Sequence, residues 1–127
     1  KNGNTALLIA AYEGKTEILK LLLEAGADVT VLDPGMKATA LHAAAYAGRT
    51  EASKLLIEYK IDINKQGPYN GYTALHDAIW QNNIETAKVI IDAGADLNIK
   101  SNNGQTPLEM AKNLNRTEIV KLIEEKL

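Results

Sequence analysis

The chain has 127 residues and a mass of 13.8 kDa, a length typical of a single domain. Hydrophobic residues make up 46% and charged residues 24%, which is the composition of a folded globular protein rather than a disordered one. The net charge of −2 excludes the strongly basic footprint of proteins that bind nucleic acids by neutralising phosphates. Because cysteine is absent, the sequence also excludes disulfides, thiolate metal sites and a cysteine nucleophile.

An internal repeat dominates the chain. Threonines recur at intervals of 34, 34 and 33 residues, and leucine, alanine, glutamate and aspartate columns keep the same register. We predict four units in one domain over residues 1–127, at approximately 1–33, 34–67, 68–100 and 101–127. The columns are Thr5, Thr39, Thr73, Thr106; Leu7, Leu41, Leu75, Leu108; Ala10, Ala44, Ala78, Ala111; Glu17, Glu51, Glu85, Glu118; and Asp28, Asp62, Asp96.

Each unit has the pattern of two short helices followed by a turn. In the first unit we predict a helix from Ala6 to Glu13, opened by the hydroxyl of Thr5. A second helix is predicted from Thr16 to Ala25, with Gly26 as its left-handed terminator. Helices this short are marginal alone in water. We therefore expect neighbouring units to stack and to share one continuous apolar seam.

Turn dipeptides predict tight turns between the units. These dipeptides are Asn2-Gly3, Asn70-Gly71 and Asn103-Gly104. The first two junctions each contain one extra residue, near Asp33-Pro34-Gly35 and Gln66-Gly67-Pro68. Longer turns are expected there.

These residues resemble the ankyrin repeat. The family motif Gly-x-Thr-Pro-Leu-His-x-Ala is matched by residues 71–78, and its Gly-Ala-Asp-Val-Asn segment by residues 94–98. The resemblance covers essentially the whole chain. It implies an all-α solenoid of stacked helix-turn-helix units with β-hairpin-like fingers, and a protein that binds other proteins without being an enzyme.

The chain departs from the motif at a few positions. The proline is present only at Pro107, Lys60 replaces a helix-ending glycine, and Leu8 and Glu109 replace the histidine. We expect these changes to weaken individual turns and to leave the fold intact.

The two ends of the chain differ in pattern. Lys112 and Glu124 replace apolar residues that would face a following repeat, which is typical of a capping unit. The first unit has no such polar replacement and carries Leu8-Ile9. This difference favours further residues, or another repeat, upstream.

A structural role explains the few candidate catalytic residues better than a catalytic or metal-binding role does. His42 and His76 occupy the same motif position, and one repeat of translation, on the order of 10 Å for packed helices, is too long for a shared ion. We expect each histidine to satisfy backbone groups between units. Ser53 has no histidine at a suitable spacing. We therefore predict no catalytic residue, no cofactor and no metal.

The aromatic residues give the sharpest functional signal. Tyr12, Tyr46 and Trp80 recur at intervals of 34 at the end of each first helix. The ankyrin resemblance implies that this position and the fingers face a concave surface. Of sixteen such positions one is charged, whereas the overall content would give about four. The partner-binding residues expected are Tyr12, Met36, Tyr46, Tyr69, Tyr72, Trp80, Gln81 and Asn113. The alternative is that the rings brace neighbouring fingers and helices against each other.

These observations predict a non-enzymatic protein–protein interaction scaffold. A protein partner would bury Tyr46, Tyr72 and Trp80 in a nearly uncharged trough. We expect a monomer that binds neither nucleic acid nor membrane and is located in the cytoplasm, with the periplasm or secretion as alternatives. A second hypothesis is an accessory or regulatory module of a larger protein whose effector or enzyme domain lies upstream.

Overall fold

The computed structural model describes the backbone of residues 2–127 and the side chains from residue 5 onward. This part of the chain forms four successive helix pairs. The helices are α1 (Asn2–Glu13), α2 (Thr16–Glu24), α3 (Ala40–Ala47), α4 (Thr50–Glu58), α5 (Ala74–Trp80), α6 (Ile84–Asp92), α7 (Pro107–Asn113) and α8 (Thr117–Glu124). None of these helices is long and apolar enough to cross a bilayer.

The pairs stack into two helix layers. The odd-numbered helices pack in chain order against one another, and so do the even-numbered ones. The alanine column at Ala10, Ala44, Ala78 and Ala111 is fully buried along the first layer, where its small side chains allow close helix approach. The predicted continuous seam is confirmed, since one cluster of buried residues extends from α1 to α8.

Threonine caps begin three of the four pairs. Thr39, Thr73 and Thr106 accept hydrogen bonds from the backbone N–H three residues later, and that residue's side chain accepts the threonine's own N–H. The returning acceptor is a histidine in α3 and α5. In α7 it is Glu109, whose pKa is lowered by the N–H that Thr106 donates.

Each histidine also joins its repeat to the next one. His42 Nδ1 lies 3.2 Å from the Thr39 backbone nitrogen and Nε2 lies 2.9 Å from the Tyr72 carbonyl oxygen. Because a backbone N–H can only donate, Nδ1 is the acceptor and Nε2 carries the proton. His76 repeats the arrangement, with 3.1 Å to the Gln105 carbonyl. The structural interpretation of both histidines is confirmed.

The first helix begins earlier than predicted. It starts at Asn2 rather than Ala6, so Asn2-Gly3 lies in a helix and Thr5 does not cap one. Leu8 stands at the histidine position and has no polar atom to accept the Thr5 N–H, so the returning half of the capping box is absent from this unit. The helix α2 ends at Glu24, with Ala25 as its C-cap, one residue before the predicted end.

The fingers confirm the predicted difference in length. The backbone bond that closes the first finger joins Asp33 to Ala38, and the second joins Gly67 to Tyr72, whereas the third joins Ser101 to Gln105. The first two loops are therefore one residue longer. Gly71 is required in the second finger, because its φ is +71° and an added Cβ would collide with Asn102.

The two ends of the stack expose different surfaces. Lys112 and Glu124 are exposed and lie 3.8 Å apart, in the register of residues that are at least partly buried in the earlier units. At the other end, Ile18 and Leu21 of α2 are 49% and 66% exposed. The residues in register with Ile18 are fully buried in the next three units, as Ala52, Thr86 and Ile119. The first pair thus presents an uncovered apolar face.

We predict that Ala44→Leu destabilises the protein by roughly 1–3 kcal/mol, because a larger side chain would overpack the layer of first helices. Chemical denaturation followed by circular dichroism measures the change. The control is Ala93→Leu at the exposed C-cap of α6, which should change the free energy of unfolding by less than about 0.5 kcal/mol. Equal effects of the two substitutions would contradict the close packing of the alanine column.

Candidate functional site

A groove with a volume of about 550 Å³ lies between the fingers and the first helices of the first three pairs. Its lining is mostly apolar. We call it the binding groove, and it is lined by Leu8, Ile9, Tyr12, Glu13, Asp33, Met36, Ala38, Thr39, His42, Ala43, Tyr46, Gly67, Tyr69, Asn70 and Asp77.

The periodic aromatic residues are exposed, as predicted. Tyr12, Tyr46 and Trp80 have exposed fractions of 51%, 47% and 48%. A ring left half in water while alanines and leucines of the same helix are buried retains about half of its surface for another contact. Tyr12 and Tyr46 line the binding groove, and Trp80 lies outside that lining.

The next repeat holds the backbone of each of these aromatic residues. Arg49 Nε donates to the Tyr12 carbonyl at 3.0 Å, and Asn83 Nδ2 donates to the Tyr46 carbonyl at 3.1 Å. Arg116 Nη2 donates to the Trp80 carbonyl at 2.8 Å. These bonds satisfy carbonyls at the C-terminal ends of the first helices, which otherwise have no partner within the helix. The aromatic row is thereby fixed to the stack.

Sequence reasoning missed these three donors. Arg49, Asn83 and Arg116 do share a register, since they lie 34 and 33 residues apart and each immediately precedes a second helix. The recurrence of a long polar side chain at that register was the available signal. The pattern within one unit does not show that this side chain bonds to a carbonyl of the preceding unit, so the sequence alone does not indicate its role.

The structure brings four of the eight predicted partner-binding residues together in the groove. These are Tyr12, Met36, Tyr46 and Tyr69. Among the others, Trp80, Gln81 and Asn113 are exposed at the ends of α5 and α7, outside the groove lining.

Two finger tyrosines brace the stack, which was the alternative interpretation. Tyr72 is half-buried, and its ring stacks on His76 with centroids 5.4 Å apart. Burial raises the pKa of Tyr72. The Tyr69 hydroxyl donates to the Gly35 carbonyl at 3.3 Å and so joins the first two fingers. Tyr72 is therefore less exposed than Tyr46 and Trp80, with which it was predicted to bind a partner.

Three acidic residues line the groove, which differs from the prediction of a nearly uncharged trough. Glu13, Asp33 and Asp77 line it, and no lysine or arginine is among the described residues of the lining. Asp33 is engaged locally, because its Oδ1 accepts the N–H groups of Gly35 and Met36 at 2.7 Å each. From residue 5 onward, no group of three or more histidine or carboxylate side chains is arranged to hold a metal ion.

The family model of ankyrin repeats matches residues 7–101 as three copies. The chain belongs to the ankyrin repeat family. Ankyrin repeats are protein–protein interaction modules, and the pair α7 and α8 continues the same stack beyond the matched range.

One segment of the ankyrin domain is similar to individual regulatory proteins. It is 58% identical over 33 residues to protein phosphatase 1 regulatory subunit 12A of human, mouse and rat. The match covers 26% of this chain and 3% of the length of each relative. The likeness is therefore the length of one ankyrin repeat.

Asp77 is exceptional among the residues that line the binding groove. It stands in the register of Ile9, Ala43 and Met110, at a half-buried position on α5. Within the described chain, no side chain or backbone group hydrogen-bonds to its carboxylate. Burial raises the pKa of Asp77 from 3.8 to about 7. The sequence pattern did not reveal it, since the motif leaves this position variable.

We predict that Asp77→Asn stabilises the protein increasingly as pH rises from about 4 to 8. A carboxyl whose pKa is higher in the folded state loses stability as pH rises through the folded value, and asparagine removes that loss. The gain at pH 8 should be on the order of 1–3 kcal/mol relative to pH 4.

Denaturation curves of the variant and the wild type at several pH values measure this difference, and the contribution of the histidines cancels between the two proteins. The control Glu85→Gln replaces an exposed carboxylate of α6, and the pH-dependent gain from Asp77→Asn should exceed any change seen with this control. A pH-independent effect of Asp77→Asn would show that the carboxyl is not perturbed by folding.

Proposed function

We propose that the protein is a non-enzymatic scaffold that binds a protein partner in the groove formed by its first three repeats. The observation that carries the proposal is the apolar lining, in which exposed Tyr12, Met36 and Tyr46 stand together. Tyrosine and methionine are enriched at the cores of protein interfaces, and tyrosine is enriched among the residues that dominate binding energy.

The framework around the groove supports this proposal. The histidine bonds tie the starts of α3 and α5 to the next finger, and the Arg49 and Asn83 bonds tie the ends of α1 and α3 to the next repeat. A surface held in this way loses little conformational entropy when it is occupied, so more of the contact energy is retained as affinity. The histidines are committed to backbone groups, which argues against an acid–base role for them.

A second candidate function is favoured by the exposed apolar face of the first pair. Ile18 and Leu21 would be covered if ankyrin-type structure packed on α2, as happens at each later junction. In this alternative the chain is an accessory module of a larger regulatory protein. The short likeness to a phosphatase regulatory subunit is consistent with such a role.

We predict that Tyr46→Ala weakens the partner complex by about 2 kcal/mol or more, because it removes the ring that lines the middle of the groove. Trp80→Ala removes another ring that the sequence pattern predicts a partner would bury, and it should cost less than Tyr46→Ala, since Trp80 lies outside the groove lining. Affinity capture with the three proteins, quantified by mass spectrometry and followed by titration of the captured partner, measures both effects.

The control is Leu21→Ala, which truncates an exposed apolar side chain on α2, away from the groove. If the partner tolerates Tyr46→Ala but is lost with Leu21→Ala, the groove is not the binding site, and the partner binds the exposed apolar face of the first pair instead. Circular dichroism of every variant establishes that the fold is retained.

A further inference from the structure

We propose that the binding groove recognises a basic-hydrophobic peptide segment. An apolar side chain of the segment would lie against Tyr12, Met36 and Tyr46, and an adjacent lysine or arginine would pair with Asp77. This inference rests on the proposed function, because it names the chemistry of the partner for the same groove.

The apolar half of the recognition follows from the shape and composition of the groove. Leu8, Ile9 and Ala43 stand on the helices beside the aromatic rings, and Met36 reaches the groove from the finger. Ile9 and Met36 are exposed although they are apolar. A space of about 550 Å³ is of the size that holds a small number of side chains rather than a whole folded surface.

The basic half follows from the charge of the lining. The three ionisable acids, Glu13, Asp33 and Asp77, have no cationic side chain among the described lining residues to balance them. An acidic or phosphorylated segment would be repelled here, whereas a lysine or arginine would be attracted. Charge complementarity therefore selects a cationic segment among the apolar ones that the groove can hold.

Asp77 is the carboxylate best placed to receive that cation. Asp33 already accepts two backbone N–H groups, and Glu13 lies at the exposed end of α1. Asp77 is more buried than Glu13 and has no hydrogen-bond donor in the described chain. A charge-assisted bond gains strength where water is partly excluded, so pairing at this position contributes more than pairing at the rim.

A partner cation would also explain why an unpaired carboxylate stands at a position where the other repeats have apolar residues. The free protein bears the cost of desolvating the group, as the raised pKa of Asp77 indicates. A partner cation offsets that cost in the complex. The repeats show that Ile, Ala or Met can occupy this register, so the acid is not required by the fold.

The test is a peptide selection on the full chain. A random phage-displayed peptide library is selected in parallel against the wild type, Asp77→Asn, Tyr46→Ala and the control Glu85→Gln. For the wild type and the control, we expect peptides with an aromatic or large aliphatic residue and a lysine or arginine at a constant offset. The basic residue should lose its enrichment on Asp77→Asn, and groove binders should be absent from the Tyr46→Ala selection.

A double-mutant cycle then isolates the pair. One selected peptide and its Lys→Gln or Arg→Gln version are titrated by fluorescence anisotropy against the wild type and Asp77→Asn. The neutral peptide should bind the wild type at least tenfold more weakly, and the two peptides should bind Asp77→Asn within about twofold of each other.

The outcomes separate the two proposals. Peptides that require Tyr46 but show no preference for lysine or arginine, or that prefer acidic residues, overturn the present inference and leave the groove as a binding site. Peptides whose binding is unaffected by Tyr46→Ala overturn the proposed function itself. A basic preference that survives in Asp77→Asn overturns the assignment of Asp77 as its acceptor.

Discussion

The rest of the structure depends on the hydrogen bond that a buried histidine of one repeat donates to the backbone of the next. His42 and His76 each hold three backbone or hydroxyl groups of two repeats in one buried cluster. A backbone polar group that is buried without a partner is costly. When two repeats stack, the histidine of one supplies a partner for a backbone carbonyl in the finger of the next. Asn83 and Arg116 donate back to the opposite ends of the same two helices, α3 and α5, and Arg49 does the same for α1.

These bonds between repeats determine which side chains are left exposed in the groove. A short helix pair alone would leave its apolar residues in water, and the junctions bury them while positioning the aromatic residues outside the core. Tyr72 and Tyr69 contribute to the framework by stacking and by bonding between fingers. Tyr12, Met36 and Tyr46 remain available, together with carboxylates that no cationic residue of the lining balances. The same junctions that stabilise the fold thus define a surface with apolar and acidic character.

Sequence patterns predict the parts of this molecule that are periodic. The threonine, leucine and alanine columns predict four stacked helix pairs, the aromatic register predicts exposure, and the spacing of the junctions predicts longer first and second fingers. Each of these features depends on contacts that recur from unit to unit, so the same residue pattern is repeated along the chain and is easy to recognise. The resemblance to ankyrin repeats adds which surface is concave.

The features that the sequence did not predict are of two kinds. Some come from residues that differ from the repeat pattern, and others come from contacts between neighbouring repeats. α1 starts earlier than the other first helices, in the unit where Leu8 replaces a histidine, and Asp77 stands where the three other units have apolar residues. The roles of Arg49 and Tyr72 depend on partners that are about one repeat away in the chain. Such effects become visible only when neighbouring repeats are placed together.

The most direct test of this account is the tautomer of the two histidines. Long-range ¹H–¹⁵N correlation spectra of the folded protein near pH 7 distinguish a proton on Nε2 from one on Nδ1. The account predicts that His42 and His76 are both neutral with the proton on Nε2, and that burial, which lowers the pKa of each ring, keeps them so below their ordinary titration range. A proton on Nδ1, or titration of both rings near pH 6.5, would contradict the proposed junction.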